Sequence, residues 1–304
     1  MTSPLKNIAL IGASGDIGRI ILAALLYASD FNVTALTRSS SEAAFPAGVT
    51  VRKSDFSSAD LQDALKGQDA VISVVGATGF GEQKKFVDAA IHAGVSRFLP
   101  SEFSADSLDD AVLGLLPLFG QKKEVIEYLK SKESDSFSWT GVTCSALFDW
   151  GIGNGFLGYD IASRSATIWD GGDKKFTLTN QKQLGDAVVS VLKHPQATAN
   201  QYLYISSLET TQKEILAALE DATSSSWTVQ KTTTVAEVSE ANKKLQAGDF
   251  GGALALVRAT IYGDVPGLAS NYAKDRVLAN SVLGLTKESV QETIQRVVGE
   301  FKAK

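Results

Sequence analysis

The chain has 304 residues and a formal net charge of −5, because 29 lysines and arginines face 34 aspartates and glutamates. This acidic balance, without a long basic run, excludes a dominant phosphate-binding surface, so we expect no nucleic-acid partner. Hydrophobic residues at 44% and charged residues at 21% are typical of a folded globular protein and exclude a disordered chain. The single cysteine, Cys144, excludes an intrachain disulfide, and with only two histidines, His92 and His194, we predict no metal site.

The apolar runs are too short to cross a membrane. The run at 20–26 is far below the ~20 residues that a spanning helix needs, so we expect no membrane partner. A strand and a glycine-rich loop stand where a cleavable signal peptide would still be hydrophobic. Since scarce cysteine fits a reducing compartment, we predict a cytoplasmic protein, and the sequence leaves its oligomeric state open.

Short apolar runs alternate with helical patterns in the first hundred residues. Strands are predicted at 8–11, 33–36, 49–51, 70–75 and 97–99, and helices at about 16–27, 60–65 and 83–92. Near-continuous apolar strands separated by helices are typical of a parallel sheet covered on both faces. Right-handed crossovers then give a doubly wound α/β fold.

The pattern changes in the second part of the chain. A helix at about 119–129 precedes a strand at 140–147, and the runs 166–169 and 176–178 flank an Asp-Gly-Gly-Asp turn that predicts a β-hairpin. A helix near 183–192 and a strand at 202–205 are expected to return to the main sheet, and the remainder is mostly helical. We therefore predict a domain at 1–150, to which 182–207 returns, and a smaller substrate region at 151–181 and 208–304.

A glycine-rich loop lies between the first predicted strand and the first helix. Its sequence, Gly12-Ala13-Ser14-Gly15-Asp16-Ile17-Gly18-Arg19, has G-x-x-G-x-x-G spacing. Gly12 permits a tight turn, Gly15 lets the backbone approach a pyrophosphate, and Gly18 lets the helix pack on the strand. Free N–H groups at the helix N-terminus then bind phosphate oxygens. The strand-loop-helix context predicts a dinucleotide site that includes Gly12, Ser14, Gly15, Asp16, Ile17 and Gly18.

The end of the second strand selects between the two nicotinamide dinucleotides. An NAD site places an acidic residue there to bind the ribose hydroxyls, whereas this chain has Thr37, Arg38 and Ser39, with no acid before Glu42. The planar guanidinium of Arg38 suits a 2′-phosphate. The position favours NADP, and an ordinary surface arginine is the alternative.

One lysine lies on the apolar side of its predicted helix. At ~100° per residue, Val125, Ile126 and Leu129 fall within about 60° of Lys122, while Lys123 lies to the side. A buried lysine needs a partner or loses its proton more easily. The alternative is a side chain that extends past its apolar neighbours to water.

Four segments carry a resemblance to a known family. They are the glycine loop, the helix of Lys122, the stretch at 89–103 with its run Arg97-Phe98-Leu99-Pro100-Ser101-Glu102-Phe103, and the Asp-Gly-Gly turn through Thr179. Together they resemble the NmrA-like and isoflavone reductase-like family, an atypical branch of the short-chain dehydrogenase/reductases. The resemblance covers nearly the whole chain and is clearest to about residue 210.

This resemblance implies a doubly wound parallel-sheet Rossmann fold with a smaller, mostly helical C-terminal substrate region. It implies an NADPH-dependent reductase of specialised metabolism whose partner is a small apolar, aromatic or polyketide-like substrate. Lys122 matches the family lysine, and Leu118 stands where the usual short-chain reductase tyrosine would be. Lys122 is therefore expected to supply the proton, or alternatively to hold the nicotinamide ribose. The alternatives for the whole chain are an NADP-sensing regulator without turnover and a non-redox isomerase or cyclase.

Two further residues bear on catalysis. Ser101, at the carboxyl end of the fifth strand, is expected either to bind substrate or nicotinamide or to cap the next segment. Tyr128 and Lys132 match the tyrosine-x-x-x-lysine pattern of ordinary short-chain reductases. Because Tyr128 lies about 120° from Lys122 around the helix, we expect a surface aromatic.

The remaining expected contacts follow strand ends. Asp55 and Phe56 are expected to border the adenine, and Gln83 either lies near the cofactor ribose or is an exposed helix residue. Further cofactor contacts are expected from the ends of the fourth and sixth strands: Val75, Gly76, Ala77, Ala146, Leu147 and Phe148. Five aromatic side chains are expected to line an apolar substrate pocket: Phe103, Phe148, Trp150, Phe156 and Tyr159.

Overall fold

A seven-stranded parallel sheet forms the centre of the computed structural model, which describes residues 5–303. Its strands are β1 (Asn7–Ile11), β2 (Asn32–Arg38), β3 (Val49–Ser54), β4 (Ala70–Ser73), β5 (Arg97–Leu99), β6 (Ser138–Thr143) and β10 (Gln201–Tyr204). Their order across the sheet is β10-β6-β5-β4-β1-β2-β3. The order reverses beside β1, which confirms the predicted doubly wound fold.

Helices cover both faces of this sheet. In chain order they are α1 (Asp16–Ala28), α2 (Ser58–Ala64), α3 (Gln83–His92), α4 (Asp110–Leu115), α5 (Gly120–Ser131), α6 (Phe148–Gly153) and α7 (Gln181–Lys193), with 3-10 turns at Ala77–Glu82 and Pro117–Phe119. Ile21 of α1 and Val188 of α7 belong to the apolar core on one face. Leu61 of α2, Val87 of α3 and Ile126 of α5 belong to the core on the other.

The C-terminal part is built from helices and two small sheets. It contains α8 (Gln212–Thr223), α9 (Thr234–Gln246), α10 (Gly251–Tyr262), α11 (Tyr272–Asp275) and α12 (Val290–Lys302). One sheet has the order β12 (Thr228–Thr232), β8 (Ser165–Trp169), β7 (Tyr159–Asp160), and the other pairs β11 (Leu208–Thr210) with β9 (Phe176–Leu178). No helix of the described residues is long and apolar enough to span a membrane.

The predicted hairpin between 166–169 and 176–178 is wrong. β8 pairs with β7 and β12, whereas β9 pairs with β11. The glycine turn is present, since Gly171 and Gly172 both have positive φ. However, the carboxylate of Asp170 accepts hydrogen bonds from the N–H and hydroxyl of Thr234, which holds the chain beside α9. The two strands therefore separate after the turn.

The sixth strand is shorter than the predicted 140–147. β6 ends at Thr143, because Ser145 adopts a left-handed conformation with φ 59° that breaks the ladder. Leu147 then bridges to Thr179, and Phe148 begins α6. The expectation that residues 146–148 end a sheet strand is therefore wrong.

The chain returns to the main sheet after its excursion. β10 pairs in parallel with β6 from Gln201↔Thr140 to Tyr204↔Thr143. The buried guanidinium of Arg97 on β5 donates to Thr198 Oγ1 and to the carbonyl of Pro195, both in the loop before β10. Hydrogen bonds as well as strand pairing thus fasten the returning segment.

Candidate functional site

A cleft of about 700 Å³ lies at the carboxyl ends of β1 to β4. Ten predicted cofactor residues line it: Gly12, Ser14, Gly15, Thr37, Arg38, Ser39, Asp55, Phe56, Val75 and Gly76. It is also lined by residues that the sequence reasoning did not select, among them Ser40, Ser41, Ser54, Thr78, Gly79, Glu82 and Phe86. Ser40 and Ser41 directly follow Arg38 and Ser39, so a wider reading of that loop would have found them.

The glycine loop brings backbone close to the cleft. Gly12 has φ +88°, and a Cβ there would lie 2.6 Å from the carbonyl oxygen of Val74. A Cβ on Gly18 would lie 2.1 Å from the carbonyl oxygen of Gly12, so this close approach of helix and loop requires glycine. Around Gly15 the nearest atom to a Cβ would be 3.5 Å away. Gly12 and Gly18 thus shape the loop, while Gly15 leaves room beside it.

The N-terminus of α1 is available for an anion. No side chain caps it, so no side-chain oxygen competes for its first N–H groups, and its N-cap residue, Gly15, lines the cleft. Asp16 and Ile17 do not line the cleft, and Gly18 is buried beneath the loop. Asp16 instead borders a separate groove between α1 and α7.

The end of β2 places an arginine with no protein partner in the cleft. Among residues 5–303, the guanidinium of exposed Arg38 makes no hydrogen bond or ion pair. Neighbouring Thr37 is buried, and its hydroxyl likewise finds no hydrogen-bond partner. A buried hydroxyl without a partner is uncommon in a folded chain. Both groups therefore fit a bound polar ligand such as a dinucleotide.

The loop after β3 closes the far end of the cleft. Phe56 adopts φ +61° and sets its ring edge-on to Phe86, with centroids 5.6 Å apart. The carboxylate of Asp55 accepts a hydrogen bond from the N–H of Ser57 at 2.8 Å, which lowers the pKa of Asp55. An aromatic wall beside a charged carboxylate is compatible with an adenosine, and the contact of Asp55 and Phe56 with the adenine stays a prediction.

Ser101, which follows β5, is hydrogen-bonded to Gln83, the first residue of α3. The N–H of Ser101 donates to Gln83 Oε1 at 2.8 Å, and its hydroxyl donates to the carbonyl of Val75 at 2.8 Å. Gln83 is fully buried, so the alternative of an exposed helix residue is wrong. The alternative that Ser101 caps the next segment is also wrong, because its hydroxyl is hydrogen-bonded to the carbonyl of Val75 instead. Ala77, which is exposed and does not line the cleft, begins the 3-10 turn that follows Gly76.

Lys122 is buried, with 3% of its surface exposed, so the alternative of a side chain that reaches water is wrong. Its Nζ donates to the carbonyl of Glu102 at 2.9 Å and to Ser104 Oγ at 2.7 Å. The rings of Phe80 and Phe119 flank it, with centroids 4.6 and 4.5 Å from Nζ. Burial lowers the pKa of Lys122 from 10.5 to about 8.

The sequence reasoning did not select two neighbours of Lys122, Phe80 and Ser104. Phe80 belongs to the 3-10 turn whose Thr78, Gly79 and Glu82 line the cleft, so one segment touches both the cleft and the amine. Lys122 itself is not among the residues lining the cleft. Ser104 directly follows the quoted Arg-Phe-x-Pro-Ser-Glu-Phe run, which is the only sequence signal that points to it.

Tyr128 faces away from this cluster. Its hydroxyl donates to Asp88 on α3 at 2.5 Å, and burial, followed by the hydrogen bond to Asp88, raises its pKa. Leu118, at the position of the usual tyrosine, is partly exposed and carries no polar group. At the position where an ordinary short-chain reductase has its tyrosine, this chain therefore has Leu118, and Lys122 follows four residues later.

The structure distributes the five pocket aromatics over several places. Phe148 and Tyr159 are fully buried in the core of the C-terminal part, where the Tyr159 hydroxyl donates to the carbonyl of Gln212. Phe103 belongs to the core under the main sheet. Trp150 packs against Phe156 at 5.6 Å and borders the groove between α1 and α7. Ala146 and Leu147 are buried in two different core clusters, so this group does not converge on one cavity wall.

The site has no metal-binding cluster in the described part of the chain. No group of three or more histidine, cysteine, aspartate or glutamate side chains within residues 5–303 has the arrangement to hold a metal ion. Cys144 is buried, and its burial raises the thiol pKa to about 12.

Fold and cleft together define a Rossmann-type dinucleotide-binding protein. The model of the NmrA-like family matches residues 4–245. The chain is 34% identical to oxidoreductase aprR of Aspergillus flavus over 96% of this chain and 98% of that one. It is 35% identical to oxidoreductase poxI of Penicillium oxalicum over 94% and 92%. The chain belongs to the NmrA-like family and is an oxidoreductase, which confirms the resemblance inferred from the sequence.

Solved structures with the same fold include a plant reductase. Leucoanthocyanidin reductase from Vitis vinifera, in a ternary complex, superposes with a TM-score of 0.79 at 19% identity, covering 96% of this chain and 99% of that one. A structure described as AtPrR2 with NADP+ and (+)pinoresinol gives a TM-score of 0.75 at 18% identity, covering 98% and 100%. At these identities the likeness establishes the fold.

Proposed function

We propose that this oxidoreductase is an NADPH-dependent reductase of a small apolar, aromatic or polyketide-like molecule, with Lys122 as its proton donor. The observation that carries the proposal is the desolvated amine of Lys122 at the carboxyl edge of a dinucleotide-binding sheet. A protein that only senses a dinucleotide has no need for such a group. Aromatic substrates are named for fold relatives, among them the pinoresinol complex.

The cleft supports NADPH as the cofactor. Arg38, whose guanidinium has no partner among residues 5–303 and which is flanked by Ser39 to Ser41, would hold a 2′-phosphate. The uncapped N-terminus of α1 would hold the pyrophosphate. The absence of an acid at the end of β2 removes the group that would repel that phosphate. Bound NADPH supplies hydride; a fold relative is described as a binary complex with NADPH.

Lys122 would provide the matching proton. Hydride addition leaves negative charge on an oxygen or an adjacent carbon of the substrate, and a protonated amine neutralises it. A pKa of about 8 is close to neutral pH, where a general acid is both protonated and able to release its proton. The rings of Phe80 and Phe119 keep water from the amine, and the carbonyl of Glu102 fixes its position.

Replacing Lys122 separates proton donation from cofactor binding. Lys122→Ala should lower turnover by roughly 10²–10⁴, with NADPH affinity changed only a few fold. Lys123→Ala is the matched control, since this neighbour is half-exposed and should leave both quantities unchanged. The probes are NADPH oxidation with a panel of aryl ethers and aryl enones, and nicotinamide fluorescence for affinity. Collapse of affinity with a near-normal rate at saturating NADPH would make Lys122 a ribose anchor instead.

Replacing Arg38 tests the cofactor assignment. Fluorescence titration should show tighter binding of NADPH than of NADH, and Arg38→Asp should abolish that preference, because the carboxylate repels a 2′-phosphate and accepts ribose hydroxyls. Equal binding of both cofactors to the unaltered protein would contradict the assignment. Tight NADPH binding without oxidation by any probe, together with a captured protein partner, would favour a sensor.

A further inference from the structure

The buried amine of Lys122 has only uncharged groups as direct partners. Its two hydrogen bonds go to a carbonyl and a hydroxyl, and the rings of Phe80 and Phe119 flank it. In residues 5–303 no carboxylate lies within 4 Å of its Nζ, the limit for an ion pair. An isolated buried ammonium is costly, so its charge must be balanced from slightly farther away.

Glu102 is the buried carboxylate in that position. It lies in the loop after β5, and its own backbone carbonyl is the acceptor for Lys122. The side chain is 1% exposed. Its Oε2 accepts hydrogen bonds from Ser107 Oγ at 2.7 Å and from the Tyr202 hydroxyl at 2.8 Å. Backbone and side chain of one residue therefore both act near the amine.

The hydrogen bonds around Glu102 suit its charged form. Ser107 Oγ and the Tyr202 hydroxyl both donate to Oε2, which is the acceptor role of an ionised carboxylate. Within residues 5–303, Oε1 has no hydrogen-bond partner. The oxygen of Tyr202 already accepts the N–H of Ser107, which directs its hydroxyl hydrogen toward Glu102. Two donors to one buried oxygen favour a carboxylate.

The two buried charges stabilise each other electrostatically. Burial raises the pKa of Glu102 above its ordinary value, and the charge of Lys122 offsets only part of that rise. Burial lowers the pKa of Lys122 to about 8, and the charge of Glu102 offsets part of that fall. The other titratable groups facing the pair are few. Cys144, beyond the end of β6, faces Lys122, and Asp106 and Tyr202 face Glu102. Asp106 is neutralised by Arg276 at 3.1 Å.

We propose that Glu102 is a positioning residue that keeps Lys122 protonated inside the fold, through an electrostatic interaction without a direct ion pair. The inference rests on the proposed function for its catalytic meaning, since the protonated amine is the proposed acid. The electrostatic coupling between the two buried charges does not depend on bound substrate, so it can be measured in the protein alone. Tyr202 and Ser107 fix the carboxylate in place and do not themselves supply charge.

Glu102→Gln tests the inference because it preserves the shape and removes the charge. In cofactor-free protein carrying ¹³Cε-labelled lysine, the Lys122 signal is assigned by its loss in Lys122→Met. Its pKa should fall by about one unit or more in Glu102→Gln, as expected on removal of a nearby opposite charge. In the pH dependence of turnover, the pKa that defines the high-pH limb should fall by the same amount, so that lowering the pH restores the rate. A merely structural role would leave both titrations in place.

Tyr202→Phe is the matched control, since it removes one hydrogen bond to Glu102 and leaves the carboxylate. It should move the Lys122 pKa by no more than a few tenths. An unchanged Lys122 pKa in folded Glu102→Gln overturns the inference. A pKa that falls while the pH dependence of turnover stays fixed supports the inference and contradicts Lys122 as the acid.

A reciprocal measurement covers the case in which Glu102→Gln does not fold. With ¹³Cδ-labelled glutamate, Glu102 should be ionised at pH 7 in the unaltered protein. Because linkage is mutual, its pKa should rise in Lys122→Met by about as much as Lys122 falls in the first experiment. Glu102 that is already protonated at pH 7 in the unaltered protein overturns the inference.

Discussion

The stability of the folded protein should rise with pH in the alkaline range, relative to a variant without the buried pair, because Lys122 is buried. The pKa of Lys122 is about 8 in the folded chain and 10.5 when it is unperturbed. Below pH 8 both states carry the proton, and the folded state bears the full penalty of a buried charge. Between pH 8 and 10.5 the folded state loses the proton first, so the unfolded state binds more protons and stability rises with pH.

The size of this effect follows from the two pKa values. At one pKa unit per ~1.4 kcal/mol, the penalty relieved between pH 7 and pH 10 is roughly 2–3 kcal/mol. The reference variant is Lys122→Met with Glu102→Gln, which removes both members of the buried pair and leaves no uncompensated carboxylate. All exposed groups titrate equally in the two proteins, so the difference between them isolates the buried pair.

Urea unfolding of both proteins at half-unit intervals from pH 7 to pH 10 measures the effect. Across that range, the free energy of unfolding of the unaltered protein should increase relative to that of the variant by roughly 2–3 kcal/mol, with equal dependence on urea concentration. A difference that stays flat with pH would mean that Lys122 titrates near its ordinary value. The argument for a desolvated general acid would then fail.

Two further predictions concern the glycine loop and the tyrosine on α5. Gly18→Ala places a Cβ 2.1 Å from the carbonyl oxygen of Gly12 and should lower both the melting temperature and NADPH affinity; unchanged values of both in thermal unfolding and fluorescence titration would show that α1 can shift away. Tyr128→Phe removes the hydrogen bond to Asp88 and should destabilise the fold by about 1 kcal/mol while turnover stays normal, whereas a large fall in turnover would make Tyr128 catalytic.

Local pattern was enough to predict the first half of the fold. The glycine loop sits between β1 and α1 as expected, because an apolar strand, a spaced set of glycines and an amphipathic helix are all encoded within adjacent residues. The hairpin failed for the opposite reason. β8 pairs with β12, whose residues lie some sixty positions later in the chain, and no local signal marks such a partner.

The candidate site likewise combines features that local sequence predicts with features that depend on residues distant in the chain. Helical geometry identified the buried face that carries Lys122, because its apolar neighbours lie within one turn of helix. Its acceptors, Glu102 and Ser104, come from a loop eighteen to twenty residues earlier, and only the tertiary fold brings them together. The substrate pocket was the least predictable part, since buried aromatics such as Phe148 and Tyr159 serve the core and carry no sequence mark that separates the two uses.

The return of β10 to the main sheet has a consequence for how the chain is made. During synthesis β6 emerges well before β10, and until residue 204 is available β6 presents an unpaired row of N–H and C=O groups. Arg97 meanwhile lacks two of its acceptors, Thr198 and Pro195. A nascent chain that has released β6 but not yet β10 would thus expose an unpaired strand edge beside a guanidinium that lacks two of its acceptors. Such an edge can pair wrongly with other chains.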